Sequence, residues 1–198
     1  MSHPAEKRDR PFTWNDYRSW PDEERWEIID GLVYAMSPAP STKHQSVAGN
    51  LFGRLYQGLA GKPCRPFIAP TDVKLSNLDV VQPDILVVCD PARITPTHIE
   101  GAPDLVIEVL SPATSAKDLR QKKALYERAG VREYLVVDPL EQYAIRFLLG
   151  DDGFDKGTVF AADERLVFAT LEELEVPLWE VLEAEGPKAD EAAPSGEG

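Results

Sequence analysis

Two segments of the chain carry apolar residues at the three- and four-residue spacing of an amphipathic helix. The first, from Ser41 to Gly61, opens with polar residues that suit an N-cap. The second, from Thr114 to Gly130, has strong helix formers in its body and ends on a glycine, which is a common C-terminal stop. The pattern therefore predicts two helices.

Shorter apolar runs rich in β-branched residues predict strands. The first run is divided by Asp30-Gly31, which is a strong hairpin signal. The predicted strand segments are RWEIIDGLVYAMSP, CRPFIAPTDVKLS, PDILVVCD, PDLVIEVL, REYLVVDP and QYAIRFLLG, and LEELEVPLWEVL is a short closing element. This order predicts an α/β or α+β domain with a mixed central β-sheet flanked by α-helices. The unit from Leu105 to Asp138 is expected to be a right-handed strand-helix-strand crossover.

A length of 198 residues is typical of one domain. We expect it to span residues 12–183, between a flexible polar tail at 1–11 and a disordered acidic tail at 184–198. The start lacks a signal-peptide core and no apolar stretch approaches the roughly 20 residues that cross a bilayer, so we expect a soluble, cytoplasmic protein with no membrane partner. Cys64 and Cys89 are not expected to pair, and they fit a reducing compartment.

The net charge of −13 argues against a protein that coats DNA without specificity, because such binding depends on Lys and Arg that displace counterions from phosphates. The chain also lacks the GxxxxGK[ST] phosphate loop, the GxSxG nucleophile elbow and Cys-His zinc spacings. The enzyme classes that depend on those motifs are therefore poorly supported.

One glutamate, Glu108, lies inside the otherwise apolar segment DLVIEVLSP. Alternate residues of a strand share a face, so Glu108 lies with Val106 and Leu110 and either faces water or belongs to a site. Asp84 stands at the head of another apolar strand, and the two carboxylates converge if those strands are neighbours. Two carboxylates can hold Mg²⁺, which prefers oxygen ligands and keeps several waters.

The second predicted helix adds a cation to these acids. At about 100° per residue, Lys122 falls near the centre of the apolar stripe of that helix, whereas Lys123 lies toward its edge. A lysine at such a position either reaches a buried acid or extends its stem outward to water. Asp118 and Tyr126 lie four residues on either side of Lys122 and share its face, so they can orient it.

Two more polar residues have open roles. His44 continues the apolar stripe of the first helix at its N-terminal end, where a histidine is more often a core residue or a cap than a ligand. Glu27, in the segment WEII, shares a strand face with Ile29 and is either exposed to solvent or part of an acidic cluster.

The chain resembles the Uma-type family of bacterial restriction endonucleases, in the PD-(D/E)XK nuclease superfamily, on four segments in order: WEIIDGLVYAMSPAPSTKHQ, VVQPDILVV, APDLVIEVLSP and DLRQKKALYERAGVREYLVVDP. The resemblance covers residues 12–182 and implies a restriction endonuclease-like core. It implies that Asp84 is the superfamily aspartate and Glu108 the second acid. Leu110 stands where the superfamily lysine usually lies, and Lys122 matches a lysine relocated to the next helix.

The resemblance further implies metal-assisted hydrolysis of phosphodiester bonds in DNA. The carboxylates of Asp84 and Glu108 and the Val109 carbonyl would hold Mg²⁺, or Mn²⁺, and Lys122 would position the attacking water or stabilise the transition state. The remaining matches, which line the same site with unassigned roles, are Glu27, His44 and Gln45. Cutting two antiparallel strands suits a homodimer, whose partner could complete a DNA groove that no basic run of this chain supplies.

A second hypothesis is a catalytically inactive relative, in which the nuclease-like fold serves as a binding or assembly module. The acidic composition favours this alternative. It predicts that Asp84 and Glu108 bind no divalent metal, whereas the endonuclease hypothesis requires that they do.

Overall fold

The computed structural model describes residues 10–21, 25–36, 40–112, 115–171 and 174–187. Of the two predicted tails, the N-terminal one at 1–11 is described only at residues 10 and 11, and the C-terminal one at 184–198 only as far as residue 187. The remainder of both tails lies outside the described residues, so their predicted flexibility stays a prediction.

The described part of the chain alternates short strands with a few helices. In chain order these are α1 (Trp14–Tyr17), β1 (Trp26–Ile29), β2 (Leu32–Ala35), α2 (Thr42–Gly58), β3 (Arg65–Ile68), β4 (Val73–Ser76), β5 (Asp79–Val81), β6 (Ile85–Val88), β7 (Ile99–Glu100), β8 (Leu105–Val109), α3 (Lys123–Ala129), β9 (Glu133–Asp138), β10 (Tyr143–Gly150), β11 (Gly153–Phe154), β12 (Thr158–Ala161), β13 (Arg165–Val167), β14 (Glu175–Pro177) and α4 (Leu178–Leu182). A 3-10 turn covers Pro91–Arg93 and a π-helix covers Lys117–Lys122. No helix among these residues is long and apolar enough to span a bilayer.

The central sheet has the strand order β11-β10-β9-β8-β6-β3, and β12 also pairs with β10. Strands β8 and β9 run parallel, whereas the other neighbouring pairs are antiparallel. The sheet is therefore mixed, as the sequence predicts. The parallel pair is joined through the π-helix and α3, which gives the predicted strand-helix-strand unit.

The two faces of the central sheet are covered by different elements. One face buries the apolar stripe of α2, and the other packs against α3 and a second sheet. Along β8, Ile107 belongs to the α2 side and Val106 to the α3 side, because successive strand residues point in opposite directions. Glu108 continues the Val106 set, so its side chain extends toward α3.

The second sheet has the order β2-β1-β5-β4-β7 and differs from the single sheet that the sequence predicts. It contains the predicted hairpin β1–β2, whose turn residues Asp30 and Gly31 both have positive φ, at 53° and 71°. Ile29 and Val81 pack this sheet onto the α3 side of the core. Its arrangement brings Glu27, on β1, toward Glu108.

The second predicted helix is not a uniform α-helix. Residues Lys117–Lys122 form a π-helix, with i→i+5 hydrogen bonding, and α3 follows at Lys123–Ala129. The helix ends as predicted at Gly130, which adopts the left-handed conformation with φ of 84°. The change of helix type alters which side chains share a face, and this matters at the site described below.

The two cysteines correct an expectation from the sequence. Cys64 and Cys89 form a disulfide, although the sequence favoured two separate thiols. The physical reason is the pairing of β3 with β6, in which Arg65 lies opposite Val88. The next residues outward, Cys64 and Cys89, are therefore held opposite each other, and this strand pairing cannot be deduced from their separation in sequence.

Candidate active site

Asp84 and Glu108 lie opposite each other on neighbouring strands. Asp84 immediately precedes β6, which pairs antiparallel with β8 so that Ile85 faces Ile107. One residue further, the register places Asp84 opposite Glu108, and directly opposed residues of a sheet point to the same face. The Val109 N–H donates a 2.8 Å hydrogen bond to Asp84 Oδ2. The structure thus makes neighbours of the two strands, which is the condition on which convergence of the two acids depended.

Glu108 is buried, with 3% of its surface exposed, so the alternative of a solvated strand glutamate is wrong. Its Oε1 accepts hydrogen bonds from Lys122 Nζ at 2.9 Å and from Tyr126 Oη at 2.7 Å. Burial raises the pKa of Glu108 to about 8, because the loss of hydration outweighs the attraction of the Lys122 ammonium. Nearby carboxylates, those of Asp118 and Asp84 among them, contribute to the same rise.

Lys122 lies at the centre of a cluster of acids. Its Nζ is 2.9 Å from Glu108 Oε1, 3.0 Å from Glu27 Oε1 and 3.7 Å from Asp118 Oδ1. Burial by itself lowers the pKa of Lys122, but Glu108, Glu27 and Asp118 together raise it well above the usual value. The ammonium therefore stays charged, and the alternative in which it extends to water does not occur. Tyr126 orients Glu108 rather than the lysine.

Glu27 reaches the same cluster from the second sheet and is buried, with 2% exposure. Its Oε1 contacts Lys122 and also accepts from the Gln82 N–H at 3.3 Å, while its Oε2 accepts from Lys117 Nζ at 2.5 Å. Burial would raise the pKa of Glu27, but Lys122 and Lys117 hold it below the usual value. Of the two open alternatives for Glu27, the structure selects the acidic cluster.

Lys117 is a site residue that the sequence pattern did not indicate. In an α-helix, Lys117 and Lys122 would point about 140° apart, since five residues advance the helix by about 500°. The i→i+5 repeat of the π-helix brings both side chains to one face. No signal in the spacing of apolar residues reports this change of helix type.

His44 lies at the N-terminal end of α2, where its N–H donates to the Ser41 side chain at 3.2 Å. Its Nε2 is 3.2 Å from Asp84 Oδ2, and the ring also contacts the Val109 backbone. Burial lowers the pKa of His44, yet the hydrogen bond and the negative charge of Asp84 raise it above the usual value overall. Nδ1 is buried without a hydrogen-bond partner among the described residues. His44 therefore joins the acids rather than serving only as a core residue.

These side chains line one cleft of about 750 Å³. Besides the acids, Lys122 and His44, the cleft is lined by Arg25, Tyr34, Gln45, Gln82, Val109 and Lys117. Gln45, which the sequence resemblance includes without a role, is thus on the cleft wall. The arrangement brings several acids and two lysines together in a space large enough for part of an extended ligand.

The donor set of the cleft suits a hard divalent cation. Asp84 and Glu108 offer carboxylate oxygens from opposed strand positions, Val109 lines the same cleft, and Mg²⁺ commonly uses one or two protein carboxylates and keeps its waters. Burial is the main cause of the raised pKa of Glu108, and the neighbouring carboxylates of Asp118 and Asp84 add to it, so a bound cation would favour the ionised form of Glu108. Within the described ranges, no three His, Cys, Asp or Glu side chains are already grouped as a ligand set. The cleft therefore suits a metal site with two carboxylate ligands, Asp84 and Glu108.

Comparisons with known proteins agree with the sequence resemblance. The Uma2 family model, described as "Putative restriction endonuclease", matches residues 14–179. An uncharacterized protein of Synechocystis sp. is 31% identical over 144 residues, which cover 70% of this chain and 74% of that protein. The crystal structure of "a putative nuclease belonging to DUF820" from Anabaena variabilis superposes with a TM-score of 0.72 at 21% identity, covering 87% of this chain and 98% of that one. The last similarity establishes the fold.

Proposed function

The chain belongs to the Uma2 family, and we propose on this basis that it is a metal-dependent endonuclease that hydrolyses phosphodiester bonds in DNA. The observation that carries the proposal is the position of Asp84 opposite Glu108, with Lys122 between Glu108 and Glu27 in one cleft. An acid pair in a cleft can hold the ion for metal-assisted phosphoryl transfer, and a fixed cation beside it can stabilise negative charge that develops there.

In this proposal Asp84, Glu108 and the Val109 carbonyl hold Mg²⁺ or Mn²⁺. When bound, such an ion lowers the pKa of a coordinated water and offsets the charge that develops on the phosphate. Lys122 keeps a fixed positive charge 2.9 Å from Glu108 and orients that carboxylate. His44 holds a proton at Nε2 beside Asp84 Oδ2, and Glu27 fixes the Lys122 ammonium from the opposite side.

Three finer features belong to the same proposal: a DNA rather than an RNA substrate, a homodimer and a cytoplasmic location. The twofold relation of the two DNA strands supports the dimer, and sedimentation of the purified protein tests it. The Cys64–Cys89 disulfide counts against the cytoplasmic location, since disulfides rarely persist in a reducing compartment. Quantifying free thiols in protein isolated rapidly from cells tests that location.

Nicking of supercoiled plasmid DNA, with and without Mg²⁺ or Mn²⁺, tests the activity. We expect cleavage that requires metal and is lost in Asp84→Asn and Glu108→Gln, which change one atom each. Glu141→Ala, at an exposed turn outside the cleft, is the matched control and should cut like the wild type. Absence of cleavage of DNA and RNA with every metal, or normal cleavage by both cleft variants, would contradict the proposal.

The alternative of a non-catalytic binding module has one observation in its favour. Glu108 Oε1 and both oxygens of Glu27 already accept hydrogen bonds or ion pairs from protein groups. Such a saturated network can serve a purely structural purpose. Calorimetry distinguishes the two functions: the endonuclease binds Mn²⁺ with an affinity that weakens in Glu108→Gln, whereas the binding module does not bind it at this cleft.

A further inference from the structure

The two lysines of the cleft differ in the number of protein carboxylates that they contact and in the exposed fraction of their side chains. Lys122 contacts three carboxylates and only 6% of its side chain is exposed. Lys117 contacts one carboxylate among the described residues, that of Glu27, and 24% of its side chain is exposed. A substrate that enters the cleft can therefore reach the Lys117 ammonium without opening the core, which is not true of Lys122.

Lys117 is held at the cleft wall by a second contact. Its Nζ lies 4.7 Å from the centre of the Tyr34 ring, within the range of a cation–π interaction. The Tyr34 hydroxyl accepts a 2.7 Å hydrogen bond from Gln121 Nε2, which fixes the ring. Both Lys117 and Gln121 belong to the π-helix. Lys117 is thus a positioned cation rather than a freely moving surface lysine.

Arg25 presents a second cation on the other side of Glu27. The Met36 N–H donates to the Arg25 carbonyl, so the β1–β2 pairing continues to Arg25, and Arg25 shares a strand face with Glu27. Its Nε and Nη2 both donate to Gln82 Oε1, at 2.9 and 2.7 Å. Gln82 is neutral, no carboxylate among the described residues pairs with Arg25, and Arg25 lines the cleft.

These two cations stand out because the protein as a whole carries a net charge of −13. A polyanionic substrate is repelled by such a surface and needs local positive charge to enter. Arginine and lysine donors beside a cleft provide charge-assisted hydrogen bonds to phosphate oxygens. Within the described residues, Arg25 and Lys117 are the lysine and arginine side chains that line the cleft apart from the buried Lys122, and His44 lies against Asp84.

We propose that Arg25 and Lys117 form a phosphate-binding subsite for the backbone of the nucleic-acid substrate, and that Lys117 exchanges Glu27 for a phosphate oxygen when substrate enters. The exchange replaces one charge-assisted hydrogen bond by another, while Lys122 continues to hold Glu27. The inference rests on the proposed function, because a phosphodiester is the ligand that the site would then process.

The experiment measures binding rather than cleavage. Fluorescence anisotropy of a labelled DNA duplex is recorded with Ca²⁺ as the metal, over a series of salt concentrations. We expect Lys117→Met and Arg25→Met each to weaken binding about tenfold and to reduce the slope of log affinity against log salt by about 1. Lys117→Arg, which keeps the charge, should keep the wild-type slope. Calorimetric Mn²⁺ affinity should stay at the wild-type value in Lys117→Met.

Lys123→Met is the matched control. Lys123 is one residue beyond Lys122, but its ammonium lies 3.8 Å from the Phe147 ring centre and it does not line the cleft. This variant should bind DNA with the wild-type slope. If Lys117→Met and Arg25→Met also keep that slope, the subsite is refuted while the proposed function stands. If the wild type binds neither DNA nor RNA, the proposed function fails, and the subsite with it.

Discussion

The hydroxyl of Tyr126 donates a 2.7 Å hydrogen bond to Glu108 Oε1, the same oxygen that accepts from Lys122. Tyr126 and Glu108 are both buried; Tyr126 belongs to α3 and Glu108 to β8 of the central sheet. A tyrosine hydroxyl can donate to a carboxyl group in either protonation state, but it stabilises the ionised form more strongly. Tyr126 thus helps to keep a carboxylate available at a position where burial opposes its charge.

The variant Tyr126→Phe removes this donor and keeps the ring. We expect the free energy of unfolding to fall by about 1–2 kcal/mol, because a buried hydrogen bond is lost. The pKa of Glu108, which is about 8 in the wild type, should rise, since its ionised form loses a hydrogen-bond donor. Mn²⁺ affinity at neutral pH should therefore fall several-fold. Urea unfolding and calorimetry measure the two effects, and an unchanged metal affinity would show that Tyr126 has no influence on Glu108.

Metal affinity should depend on pH in a defined direction. The pKa of Glu108 is raised to about 8, so below that pH the metal must displace a proton from the carboxyl group. We expect the apparent Mn²⁺ affinity to increase by about tenfold per pH unit up to pH 8 and then to level off, as one released proton requires. Calorimetry in buffers of different ionisation enthalpy counts that proton.

His44 is a second group that could release a proton, because burial lowers its pKa but the hydrogen bond and charge of Asp84 raise it above the usual value overall. Repeating the pH series with His44→Gln separates its contribution from that of Glu108. If metal binding still releases a proton in His44→Gln but not in Glu108→Gln, the pH dependence belongs to Glu108. The opposite pattern would contradict that assignment.

Removing the buried ammonium of Lys122 should destabilise the protein more than removing that of Lys117. Lys122→Met leaves three buried carboxylates without their shared cation, and we expect a loss of about 3–5 kcal/mol in unfolding free energy. Lys117 is partly exposed, so Lys117→Met should lower the free energy of unfolding by at most about 1 kcal/mol. Added Mn²⁺ should raise the melting temperature of Lys122→Met more than that of the wild type, because it supplies positive charge beside Glu108, which the Lys122 ammonium also contacts.

Equal destabilisation by the two substitutions would contradict this distinction. Failure of Mn²⁺ to stabilise Lys122→Met preferentially would show that the metal and the ammonium do not share Glu108. Lys123→Met, whose side chain packs on Phe147 instead of on an acid, provides the matched reference for the loss of a helical lysine.

The faces on which Glu108 and Lys122 lie could be predicted from the sequence because each depends on a local period, whereas the sequence left open whether Asp84 meets Glu108 and whether Lys122 is buried. A strand alternates every two residues, and an apolar stripe recurs along a helix, so both place a polar residue on a known face. The mixed sheet also follows from the order of the apolar runs. The face of each side chain needs no knowledge of how distant segments pack, but the meeting of Asp84 with Glu108 requires that β6 and β8 pair.

Lys117, the second sheet and the disulfide depend on information that such periods do not carry. The π-helix changes the angle between Lys117 and Lys122, and apolar spacing at about 100° per residue assumes an α-helix throughout. Glu27 reaches the cleft only because the β1–β2 hairpin joins β5, a strand of three residues that the sequence pattern does not distinguish from a loop. Cys64 meets Cys89 through a strand pairing between distant segments.

Glu133 provides a test of whether one buried acid can contribute to stability without contributing to metal affinity. It is fully buried, and its two oxygens accept from the Ala169 N–H at 3.2 Å, the Thr170 N–H at 2.8 Å and the Thr170 hydroxyl at 2.6 Å. Glu133→Gln turns an amide donor toward these donors, and we expect a loss of about 1–3 kcal/mol in unfolding free energy.

The metal affinity of Glu133→Gln should nevertheless equal that of the wild type. Glu133 begins β9 opposite Leu105, whereas Glu108 lies three residues further along the parallel neighbour, a distance of about 10 Å at the usual strand rise. Glu108→Gln should instead weaken metal affinity and leave the hydrogen bonds of Glu133 to Ala169 and Thr170 in place. Calorimetry and urea unfolding on the same two samples check both. A parallel loss of metal affinity in Glu133→Gln would mean that the fold and the cleft cannot be perturbed independently.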